Sequence, residues 1–180
     1  MAVEEVKKVP TRSEREAAIK DKAGLVIVVM ALFLALNTYY SNTFSGQAMT
    51  NLIEASDTYN FFQAKSIKQS IAEGQLEEAK DPKRKAELKA KIDRYESDPV
   101  KKEGKKELLA KAQAHKDARD EAKKHSPWLS FSGMLFQLAI VLLSASIIAV
   151  DMRMYWGSWG VGVLAAILMS QGIWLWIPGI

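Results

Sequence analysis

Three long stretches without a charged residue constrain this chain more than anything else in it: residues 23–40, 128–150 and 155–177. At ~1.5 Å per residue, helices of 18 to 23 residues reach ~27–35 Å, the thickness of a bilayer's hydrocarbon core. Each block is therefore expected to be a transmembrane helix. Aromatic residues sit at the block ends, as interfacial belts do. Tyr39, Tyr40, Trp128, Trp174 and Trp176 fall on one side, and Tyr155, Trp156 and Trp159 on the other. The first block is read as a retained span, because its leader is long and carries charges of both signs, unlike a signal peptide.

Between the first and second blocks lies a segment dense in Lys, Glu and Ala. The expected architecture is all-α, with three transmembrane helices and a long extramembrane antiparallel helical hairpin. The divisions are a charged arm at 1–22, spans at 23–44, 127–150 and 155–177, and the hairpin at 45–126. Lys and Arg total 25 against 21 Asp and Glu, a net charge of +4 spread among interleaved opposite charges. That pattern lacks the one-sided basic face of a nucleic-acid binder. Without cysteine there is no disulfide, thiolate metal site or cysteine nucleophile.

Arg12, Arg15, Lys20 and Lys22 precede the first block, and Arg153 lies in the short turn between the last two. Positive-inside places the N-terminus and that turn in the cytoplasm, with the hairpin and C-terminus outside. Thr11 with Glu14, or Ser13 with Glu16, can form a capping box at the start of a helix. Asp81-Pro82, Asp98-Pro99 and Ser126-Pro127 each read as an N-cap followed by Pro at the first helical position. They predict helix starts at all three places. Ser45-Gly46 is the expected weak point of the first helix. The return helices carry narrow apolar stripes, Leu88, Ile92 and Tyr95 on one and Leu108, Leu109, Ala112 and Ala122 on the other.

Residues 55–69 combine an aromatic face with uncharged polar groups. Leu52, Ala55, Tyr59, Phe62, Ile67 and Ile71 are expected to share one face, which is a seam between the extramembrane helices or a docking site. In the third span Ser158, Gly162, Ala166 and Ser170 recur every fourth residue, a small-residue ridge that permits close helix approach. The expected protein-interface residues are Tyr59, Phe62, Gln63, Lys65 and Ser66 outside, and this ridge inside. Gln137, mid-span, is expected to form an interhelical hydrogen bond.

Signs of chemistry are sparse. His115 and His125 lack metal-pair spacing. Glu54 and Asp57 read as a helix-surface pair. Lys65 beside Ser66 lacks the burial a lysine base needs. No ionisable residue lies at depth in the blocks, which argues against an ion pathway built from this chain alone. No catalytic, metal or cofactor-binding residue is assigned, and no cofactor is expected.

The run Ser56-Asp57-Thr58-Tyr59-Asn60-Phe61-Phe62-Gln63-Ala64-Lys65-Ser66-Ile67-Lys68 resembles a segment of the bacterial DUF4337 family. The family's layout is similar too: a charged start, one span, a charged helical region, then two spans. Tyr59 and Phe61-Phe62 stand where that pattern has Trp and Tyr. The resemblance implies a bacterial inner-membrane protein and no reaction. The expected role is a non-catalytic structural or accessory subunit of a membrane complex, with lipids, other subunits or further copies as partners. A membrane sensor whose hairpin binds a ligand or protein is the alternative.

Overall fold

The computed structural model describes residues 11–177. Four helices carry the chain: α1 (Arg12–Glu78), α2 (Pro82–Glu96), α3 (Lys105–Ala149) and α4 (Met152–Trp174). No strand occurs among the described residues. The chain divides into two compact units, one of Met1–Phe44 with Lys124–Ile180 and one of Ser45–Lys123.

The capping box that opens α1 uses Thr11 and Glu14. Thr11 N donates to Glu14 Oε2 at 2.8 Å, and Glu14 N donates to Thr11 Oγ1 at 3.4 Å. From there α1 runs 67 residues, straight through the expected weak point at Gly46. One glycine costs a helix about 1 kcal/mol, too little to break a ladder supported on both sides.

Three spans are expected from the sequence. Among the described residues, two helices, α3 and α4, are long and apolar enough to cross a membrane. The first charge-free block is the early part of α1, whose remainder is far more polar.

Of the three cap-plus-Pro signals, only Asp81-Pro82 starts a helix. Its carboxylate accepts from Lys83 N at 3.1 Å, and Pro82 is the first residue of α2. Asp98-Pro99 starts a single turn instead. Lys102 N donates to Asp98 O at 2.7 Å, and Lys102 then turns to a φ of 55°, which ends the turn. The helix restarts at Gly104, whose carbonyl accepts from Leu108 N at 2.9 Å. Ser126-Pro127 starts nothing: Pro127 lies inside α3. A missing N–H and a crowded carbonyl cost about 3 kcal/mol, and here the helix continues regardless.

In the Met1–Phe44/Lys124–Ile180 unit, a buried row of α3 runs through Leu129, Ser132, Phe136, Ala139, Leu143 and Ser146, with buried Gly133 beside it. The buried row of α4 runs through Tyr155, Ser158, Gly162, Ala165, Met169 and Gly172, with buried Gln171 beside it. Both rows alternate steps of three and four residues, the spacing of helices packed lengthwise at a shallow angle. Ile19, Ala23, Val26 and Met30 of α1 complete the core. Small residues take alternate places in the α3 row and four of the six places in the α4 row, so the helices approach closely. Val150, at φ 53°, and Asp151 alone join α3 to α4. The Asp151 carboxylate accepts from Arg153 N at 2.8 Å and so caps the start of α4.

Candidate functional site

In the Ser45–Lys123 unit, most of the aromatic stretch is occupied by the unit's own lysines. Lys116 Nζ donates to Tyr59 Oη at 3.0 Å and lies 4.5 Å from the ring centroid. Lys105 Nζ lies 5.7 Å from the Phe62 centroid and 3.4 Å from Glu96 Oε2. Lys65 Nζ sits 5.8 Å from Phe61, 5.7 Å from Tyr95 and 3.5 Å from Glu103 Oε2. Each lysine lays its stem along apolar surface and its charge over a ring. Ser66 is half-buried and Gln63 is exposed. His115 Nδ1 and Asn51 Oδ1 are 3.1 Å apart.

The inward face of α1 here differs from the expected one. Asn51, Ala55, Thr58, Tyr59, Phe62, Lys65, Gln69 and Ala72 turn inward. Leu52, Ile67 and Ile71 point outward, at 42, 62 and 57% exposure. Leu52, Ile67 and Ile71 lie off the side of the helix that carries Ala55, Thr58 and Phe62, so their apolar character does not bring them to the inward face. Of the return stripes, Leu88, Leu108, Ala112 and Ala122 are buried, while Leu109 is 46% exposed.

Glu54 and Asp57 line an open recess of about 550 Å³ with Lys101, Lys102, Glu103 and Lys111. Three carboxylates face three ammonium groups there, so the recess favours neither ion sign. Among the described residues, no cluster of three His, Asp or Glu is placed to hold a metal.

The turn before α3 is tied by Glu107. Its Oε1 accepts from Ser97 Oγ at 2.6 Å and its Oε2 from Asp98 N at 3.2 Å. The Ser97 hydroxyl foremost, then backbone amides, hold the Glu107 carboxyl below the usual range. With the folded pKa depressed, this tie is complete above the ordinary value of about 4.3. It is lost as pH falls through the folded value. Amide protection over residues 97–108, measured relative to the intrinsic exchange rate at each pH, should therefore fall on acidification in the wild type, and already be low at neutral pH in Glu107→Gln.

A Cβ on Gly104 would strike the Glu107 carboxylate and Asp98 N and stand 2.6 Å from Ser97 Cα; the carboxylate can swing away, but the two backbone atoms cannot. Gly104→Ala should cost about 1–3 kcal/mol. Limited proteolysis at 97–104 measures it, and unchanged cleavage would refute it.

In the other unit the ridge residues face the chain's own helices to different degrees. Ser158 and Gly162 are buried, and Ala166 and Ser170 are half-buried. A four-residue step turns ~40° beyond a full helical turn, so such a ridge drifts off the contact line. The line continues instead through Ala165, Met169 and Gly172. Gly162 lies against Met30 of α1, whose Sδ would be 2.8 Å from an added Cβ. Ser158 Oγ donates to Tyr155 O at 2.6 Å.

Gln137 is exposed, and the interhelical hydrogen bonds come from other residues. Asn37 Nδ2 donates to Leu129 O at 2.9 Å, and Ser132 Oγ donates to Ala165 O at 2.9 Å. Asn37 is 3% exposed, and its Oδ1 is buried without a partner among the described residues. The sequence signal was a lone amide near the end of an apolar block. Asn37, Thr38, Ser41, Asn42, Ser130 and Gln137 line an uncharged recess of about 240 Å³. His125 stacks on Phe44 at 3.7 Å between ring centroids, and its Nδ1 donates to Gly172 O at 2.7 Å.

A family model described as a domain of unknown function, DUF4337, matches residues 19–175. The chain belongs to the DUF4337 family. The match takes in most of both units, so the DUF4337 pattern covers the bundle together with the charged helical region. No curated protein and no solved structure matches the chain.

Proposed function

We propose that this DUF4337 protein is a non-catalytic accessory subunit of a bacterial inner-membrane assembly, with α1, α3 and α4 as its three spans. What supports a span in α1 is the outward side of its charge-free block. Leu25, Val28 and Leu32 are 70, 61 and 62% exposed, a surface suited to lipid rather than water. Phe131, Val141 and Ile148 of α3 are similarly bare, at 57, 62 and 83%. Arg12, Arg15, Lys20, Lys22 and Arg153 favour a cytoplasmic N-terminus, with the hairpin and C-terminus periplasmic.

The Ser45–Lys123 unit is read as the docking hairpin. Its contacts pair Asn51 with His115 and Lys65 with Glu103, so α1 and α3 run in opposite senses. The carrying observation is that its chemistry-bearing side chains are used internally while large apolar ones face outward. Lys65 is engaged by a carboxylate and two ring faces, the surroundings of a structural cation.

Native mass after gentle extraction from the source membrane tests this reading. A particle holding further polypeptides in fixed ratio, or several copies of this chain, supports it. A lone single copy refutes it.

A further inference from the structure

The outward side of α1 in the Ser45–Lys123 unit is unlike the rest of that unit's surface. Positions 49, 53, 56, 60, 63, 67, 70 and 74 follow one another in alternating steps of four and three. They hold Met, Ile, Ser, Asn, Gln, Ile, Ser and Gly, all exposed and none charged. Met49, Ile53 and Ile67 are 58, 50 and 62% exposed. The inward face, through Asn51, Ala55, Thr58, Phe62, Lys65 and Gln69, has the same alternation half a turn away. One helix thus carries two lengthwise seams, and α2 and α3 cover one of them. The charged Glu54, Asp57, Lys68 and Glu73 lie outside the open seam.

Alternating steps of three and four are the spacing at which two helices pack along their length. Ile53, Asn60 and Ile67, seven apart, form one row of the seam. A single Asn in an otherwise β-branched row fixes the register of parallel helices that pack along it. The other row places Ser56 and Ser70 on either side of Gln63, all uncharged and exposed.

We infer that this seam is covered by a second copy of the same chain, α1 against α1 in parallel, with Asn60 opposite Asn60. The inference rests on the membrane-docking reading above. Two copies in one membrane share an orientation, so their α1 helices are parallel and at equal height. Each Asn60 amide both donates and accepts, and a partner presenting the same amide at the same level satisfies it. A seam without charge offers nothing to an acidic or basic partner. Its length is ~37 Å at ~1.5 Å per residue, and with a width of about 10 Å it offers roughly 400 Å² per copy. That is about half the ~800 Å² per partner of a standard interface. The seam is therefore weak in water and works where the membrane raises the effective concentration of its partner.

The chain has no cysteine, so single-cysteine variants report contacts directly. Asn60→Cys, Ile67→Cys and Lys68→Cys, in the full chain within membranes, are oxidised under mild conditions. Covalent dimer is expected from the first two and several-fold less from Lys68→Cys, which is exposed but off the seam. Equal yields at 67 and 68, or none at 60 and 67, overturn the inference. Adding Asn60→Lys, an exposed change that leaves the core untouched, should abolish the Ile67→Cys dimer, and persistence of that dimer also overturns it. If cross-linking fails while the extracted particle holds other polypeptides in fixed ratio, this inference falls and the docking reading stands. If the extracted particle is a single copy and no cross-link forms within the membrane, both fall.

Discussion

Gly172→Ala is expected to lower the melting temperature of the detergent-solubilised protein well below that of Gly162→Ala. Both glycines sit on the buried line of α4, and both leave no room for a methyl group, but their neighbours differ in what they can yield. A Cβ on Gly162 meets the end of the Met30 side chain, a flexible thioether with other rotamers available. A Cβ on Gly172 meets Leu129 Cγ at 2.8 Å, Cδ2 at 2.9 Å and backbone N at 3.1 Å. Leu129 is fully buried, and its carbonyl accepts from Asn37. Moving it disturbs the α1–α3 hydrogen bond, and moving α4 disturbs the His125–Gly172 bond. Overpacking of this kind costs about 1–3 kcal/mol, with Gly172→Ala toward the top of the range and Gly162→Ala toward the bottom. Gly162→Leu exceeds what Met30 can vacate and should approach Gly172→Ala. Equal melting temperatures for the two alanine variants would contradict this account.

Phe136→Ala is expected to destabilise by about 3 kcal/mol, the lower end of the range for deleting a buried ring. Phe136 is completely buried on α3 and stacks on Phe33 of α1, with centroids 5.9 Å apart and planes 10° apart. It stacks on α1 and lines a cleft together with Trp159 and Gly162 of α4, so no single neighbour closes the gap. The lower end applies because hydrocarbon outside the bundle resembles its interior, which weakens the transfer contribution and leaves the lost contacts. The ring also borders an apolar cleft of about 230 Å³ with Met30, Phe33 and Trp159, which detergent tails can enter. Phe136→Leu, which keeps much of the volume, should cost less than about 1.5 kcal/mol. Thermal unfolding of the three proteins in one detergent measures both steps. A Phe136→Ala protein as stable as the wild type would place the bundle contacts elsewhere.

Much of this protein is set by short-range chemistry and is legible residue by residue. The charge-free blocks mark where apolar helices must lie, since no local fold hides 23 uncharged residues in water. The Thr11–Glu14 box and the Asp81-Pro82 start need only side chains within three residues of each other, so their geometry follows from their spelling. Membership of the DUF4337 family was legible at Ser56 to Lys68 for a similar reason: the run carries its own signature.

Tertiary structure decided what depends on distant partners. Asp98-Pro99 has the same spelling as Asp81-Pro82, yet Glu107 pulls Ser97 and Asp98 into a turn, and the helix waits until Gly104. Pro127 lies within α3 rather than at its start, although the dipeptide there reads as a start signal. The side of α1 on which a residue is buried depends on where α2 and α3 lie. Hence Lys65 turns inward toward Glu103 and Tyr95, while Ile67 and Ile71, the more apolar residues, turn outward. A helix spells out its periodicity but not its phase. Phase is chosen by whichever helices come to pack against it, and only the folded chain brings those helices within reach.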